Sequence, residues 1–79
     1  MANRHLLHHS QLDAFGYWLC TQGWVLCTPR GDWEVLRARN PQGKLLIVFR
    51  RADAKEHYSV QDKDVPIVKK FLRGTNDGK

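Results

Sequence analysis

The strongest constraint on this chain is the run DWEVLRARNPQGKLLIVFRR, from Asp32 to Arg51. At its centre, Asn40-Pro41-Gln42-Gly43 has the composition of a tight turn. Asn can cap the first position, Pro presets φ at the second, and Gly accepts the positive φ of a closing bulge. A hairpin follows, with Asn40 opposite Lys44. In that register Glu34 faces Arg50, Leu36 faces Val48 and Ala38 faces Leu46. Trp33, Val35, Arg37 and Arg39 then share the other face with Arg51, Phe49, Ile47 and Leu45. The competing register, shifted by one residue, sets Glu34 against Phe49 and Arg37 against Leu46. The first is preferred because it joins opposite charges and keeps apolar residues together. Leu45–Phe49 is apolar at every position, which marks a central strand at least partly covered on both sides.

Around this hairpin the chain reads as one α+β domain. Ser10-Gln11-Leu12-Asp13 has a capping-box form with Ser10 as N-cap, and a helix follows to about Gln22. Leu12, Phe15 and Leu19 make its buried stripe. Gly16 inside it costs about 1 kcal/mol relative to alanine and implies a close packing partner. Gly23 and Trp24 suit a Schellman ending, with Trp24 against Leu19. Residues 24–28 form a strand, and Pro29-Arg30-Gly31-Asp32 is a turn. His57–Val60 is a short fourth strand. A last helix opens near Asp64, with Pro66 in its first turn, and ends at Gly74. The expected fold is a three- to four-stranded antiparallel meander with two helices on one sheet face, in the order α-β-β-β-(β)-α. All 79 residues belong to one domain, with an ordered core of about 10–74 and a flexible tail over 75–79. Residues 1–9 form a tail or strap in which Leu6 and Leu7 can tuck onto the core.

The α-β-β-β-α order resembles, in outline, the double-stranded-RNA-binding fold over Ser10 to Gly74. That family opens its last helix with lysines aimed at phosphates. Here only Lys63 is near the start, and Lys69 and Lys70 come near the end, so no binding residue carries over. Three-stranded sheets that enter the DNA major groove are a second, equally distant analogy.

No stretch approaches the ~20 apolar residues of a membrane span, and the N-terminus lacks the apolar run of a secretory signal. A cytoplasmic protein is expected, with Cys20 and Cys27 reduced and no disulfide framework. His5, His8, His9, Cys20 and Cys27 fit no tight zinc spacing. Neither cysteine stands at a helix N-terminus that would activate it. Asp32, Glu34 and Lys44 resemble nuclease residues only superficially, and no phosphate-binding glycine loop is present. No enzyme, cofactor or metal is therefore expected.

The net charge of +5 favours acidic partners. Basic residues interleave with aromatics on the hairpin, and arginine pairs with phosphates while rings stack on unpaired bases. The expected function is a small basic nucleic-acid-binding module acting on DNA or RNA. Its candidate contacts are Arg30, Arg37, Arg39, Arg50, Arg51 and Lys55. The competing assignment places Trp33 and Phe49 in the core, with the arginines reaching out at the rim. The alternative function is a protein-interaction module, a homodimer or an accessory inhibitor of the kind common on phages and plasmids. Its motive is the apolar surplus on both sheet faces.

Overall fold

The computed structural model describes residues 7–52 and 56–77, with the side chains of residues 75–77 left undescribed. Its elements are β1 (Leu7–His8), α1 (Leu12–Thr21), β2 (Val25–Cys27), β3 (Glu34–Arg39), β4 (Leu45–Phe49), β5 (His57–Val60) and α2 (Val65–Asp77). Short 3-10 turns at His9–Gln11 and Asp62–Asp64 lead into the two helices. All the pairings are antiparallel, in the spatial order β1-β5-β4-β3-β2. Strands β2 to β5 are the expected meander. The fifth strand, β1, lies beside β5 at the far edge, pairing Leu7 with Tyr58 and His8 with His57. The described residues therefore start on the sheet, at β1, and pass through α1 before entering β2, a topology the double-stranded-RNA-binding outline does not have.

The hairpin turn forms through the chemistry of Asn40. Its side-chain Oδ1 accepts the N–H groups of Gln42 and Lys44 at 3.0 and 2.8 Å. Its backbone exchanges hydrogen bonds with Lys44 and Gly43, and Gly43 takes a φ of 86°. The expected register holds from Leu36–Val48 to Arg39–Leu45. It puts Leu36, Ala38, Leu46 and Val48 on one face, all buried. Phe15 and Leu19 of α1 and Val68 and Phe71 of α2 join the same core, so both helices cover that face. Gly16 allows the approach: a β-carbon there would lie 3.2 Å from Leu36 Cδ1 and 3.5 Å from Leu26 Cδ1.

Helix α1 ends as expected. Trp24 N–H reaches Leu19 O at 3.0 Å and Gly23 N–H reaches Cys20 O at 3.1 Å, which is the Schellman pattern. Its start differs. Ser10 is not its N-cap: that position is Gln11, which makes no side-chain cap bond. A capping box stands instead at the 3-10 turn before the helix, where His8 Nδ1 accepts Ser10 N–H at 3.1 Å and Gln11 Oε1 accepts His8 N–H at 3.2 Å. The edge strand ends at His8, which leaves that ring rather than the Ser10 hydroxyl beside the first free amides. Leu7, fully buried, extends the core below residue 10. At the other end, α2 runs past Gly74 to Asp77. Gly74 is exposed, and a single glycine lowers helix propensity without breaking the hydrogen-bond ladder.

Candidate functional site

The hairpin loses its simple register at one point. Between Glu34 and Leu36 a bulge sets Glu34 opposite Phe49, where the regular register would have set it opposite Arg50. This corrects the expected Glu34–Arg50 pair. In a regular strand, residues i and i+3 point to opposite faces; the extra residue brings Glu34 and Arg37 to the same side. Their pairing is bidentate, Nε to Oε1 at 3.0 Å and Nη2 to Oε2 at 3.1 Å. The two side chains are 13% and 14% exposed, respectively. Arg30 donates its backbone N–H to Glu34 Oε1 at 2.8 Å, which anchors the β2–β3 loop to the same carboxylate.

These contacts hold the Glu34 carboxyl below its ordinary value, first through the Arg37 hydrogen bonds and then through the Arg30 amide. The same pair raises the Arg37 guanidinium, again chiefly through its hydrogen bond to Glu34. The stability linked to Glu34 is therefore complete above the ordinary carboxylate value of 4.5 and is lost as pH falls through the lower, folded-state value. The Arg37 contribution is present throughout that window and fades only in strong alkali. Glu34→Gln is expected to flatten the acid limb of a stability-versus-pH curve, read by chemical denaturation. An unchanged limb would mean that Glu34 is not the group responsible.

The bulge also redistributes the candidate contacts. Arg37 and Arg39 remain on the sheet face away from the helices, with Leu45 and Ile47 opposite them and Phe49 further along β4. Phe49 is half-buried. Arg37 is neutralised by Glu34, whereas Arg39 is exposed. Trp33 leaves this group, because past the bulge its carbonyl accepts Arg50 N–H at 2.7 Å. Alternation sends Trp33 to the side opposite Phe49. The single basic and aromatic face expected from the sequence is thus split in two. Arg30 is exposed on its loop. Lys55 lies outside the described residues.

Trp33 does not enter the core; it is 55% exposed. With Arg50, Arg51, Ala52 and Tyr58 it lines a cleft of about 410 Å³. Three elements meet there: the start of β3, the end of β4 and the start of β5. Arg50 is exposed and Arg51 half-buried. Tyr58 packs against the core from β5. The sequence reading missed Tyr58, and its position two residues before buried Val60, on the same strand face, is the only local signal of where its ring lies. Lys63, the lysine nearest the start of the last helix, is committed elsewhere: its Nζ contacts Leu45 O at 2.6 Å and both Asp64 oxygens at 3.2 and 3.3 Å.

Three rings, His8, His9 and His57, lie near the β1–β5 edge, with centroids 4.5 Å apart for His8–His9 and 5.0 Å for His8–His57. Among the described residues, no three His, Cys, Asp or Glu side chains are grouped so as to hold a metal ion. No helix among them is long and apolar enough to cross a membrane. Fold and site together define an α+β protein with a five-stranded antiparallel sheet, two helices on one face and an arginine- and ring-lined cleft at the sheet margin. Compared with protein families, curated proteins and solved structures, the chain matches none of them.

Proposed function

We propose that the protein is a small, non-enzymatic nucleic-acid-binding module acting in the cytoplasm. The supporting observation is the cleft lined by Arg50 and Arg51 together with Trp33 and Tyr58. Arg30, Arg39 and Arg50 are exposed, and their guanidinium groups make no ion pair among the described residues. Arg37 is a weaker contact than its position in sequence suggests, because Glu34 already neutralises it. Lys55 stays a candidate as the lysine of the β4–β5 connection. The surplus of +5 supplies long-range attraction to a polyanion.

A titration against single-stranded and duplex DNA and RNA, at two salt concentrations, tests this reading. Micromolar binding that weakens with salt is expected, and Arg50→Ala is expected to lower the salt slope by about one. Binding that is absent, or indifferent to salt, rejects it.

A second reading, a protein-interaction or homodimeric module, draws on β2. This edge strand is uncharged, and its Val25 and Leu26 are 66% and 45% exposed. Such an edge can template pairing with another chain. Sedimentation of the wild type and of Leu26→Lys decides: a concentration-dependent dimer abolished by the lysine supports pairing, and a monomer throughout removes the homodimer.

A further inference from the structure

We infer that the Trp33 cleft takes one unpaired nucleobase, so that the protein prefers single strands or frayed ends to continuous duplex. This rests on the nucleic-acid reading above and names which form of nucleic acid that site selects. Trp33 offers a large ring that a chain of 79 residues with a thin core would ordinarily bury. Trp33 and Tyr58 both line a cleft whose volume falls within the ~300–1,000 Å³ of small-molecule sites. In a duplex, each base already stacks on its neighbours and its faces are closed to a protein ring. An unpaired base can leave the stack and enter without the few kcal/mol that extruding a paired one costs.

The charge in the cleft suits the rest of a nucleotide. Arg50 is exposed at its wall, where a guanidinium can pair with the phosphate next to an inserted base. The backbone bond from Arg50 N–H to Trp33 O keeps the two residues side by side across the strands. The backbone positions of ring and arginine are thus set before any ligand arrives, while the exposed Arg50 side chain itself orders on binding. Arg39 lies on the other sheet face, and Arg37 is paired there, so neither can reinforce the same nucleotide.

The probes are a labelled short oligothymidine, its RNA counterpart and a blunt hairpin duplex of matched charge. Single strands are expected to bind more tightly than the duplex. Trp33→Ala is expected to weaken single-strand binding roughly five- to a hundredfold, and duplex binding by much less, with little change in the salt slope because no charge is removed. Trp33→Phe is expected to retain most of the affinity, and to lose the fluorescence quenching that the strand produces in the wild type. Circular dichroism of both variants checks the fold. Salt-dependent binding that is equal for strand and duplex, or unaltered by Trp33→Ala, overturns the stacking inference and leaves a charge-driven binder. Binding to none of the probes overturns both.

Discussion

Phe15→Ala is expected to destabilise the protein by about 3–5 kcal/mol, the usual range for truncating a buried aromatic. Phe15 is fully buried and is among the largest side chains in the core. Its ring lies 5.2 Å from Phe71 at 61° and 6.0 Å from Trp18, and Trp18 in turn lies 5.6 Å from Phe71. These three rings join α1 to α2 over the sheet. Removing the central one opens a cavity between both helices and the strands and also forfeits the edge-to-face contact with Phe71. A domain of this length is stable by roughly 4–12 kcal/mol in all, so the loss is a large share of the total. A lowered denaturation midpoint would show it. Tyr17→Ala on the same helix is the control, because Tyr17 is 76% exposed and its loss is expected to stay within about 0.5 kcal/mol. Equal shifts for the two variants would mean that α1 does not pack through Phe15.

What could be read from residues alone was what local chemistry decides. The Asn40 turn, the positive φ of Gly23 and Gly43 and the helix face of Phe15 and Leu19 each follow from a side chain acting on its own neighbourhood. Gly16 belongs with them, since a glycine inside a helix signals a close neighbour, here Leu36 and Leu26. The bulge at Glu34–Val35 has no such mark. Its bend depends on the hydrogen bonds of the partner strand and on the gain from joining Glu34 to Arg37 and the Arg30 amide. That single inserted residue moved Trp33 away from Phe49 and neutralised Arg37. Strand β1 was hidden for a related reason: two residues carry no periodicity, and Leu7–His8 is a strand only because β5 offers Tyr58 and His57 as partners. The cleft joins residues from three separate elements, so no window of sequence contains it. Lys63 and Leu45, 18 residues apart, are likewise joined only by the fold, and the consequence is larger.

Lys63→Met is expected to cost about 2–3 kcal/mol, a figure below the ~3–5 typical of breaking a buried pair because the lysine itself reaches solvent. Asp64 is fully buried, and both of its oxygens face the Lys63 ammonium, whose side chain is 46% exposed. The same ammonium donates to Leu45 O at 2.6 Å and thereby ties the first residue of β4 to the turn that starts α2. Methionine keeps the length of the stem and removes all these bonds, leaving a carboxylate in the core with no cation beside it. Lys63→Arg is expected to recover part of the loss, since the charge returns with a different geometry. A double-mutant cycle with Asp64→Asn isolates the pair: Lys63→Met should cost less when position 64 carries no charge, with a coupling of about 1 kcal/mol or more. Chemical denaturation of the four proteins gives the measurement. If the lysine's removal costs the same in both backgrounds, Asp64 draws its compensation from elsewhere, and the link between the central strand and the last helix rests on the Leu45 carbonyl alone.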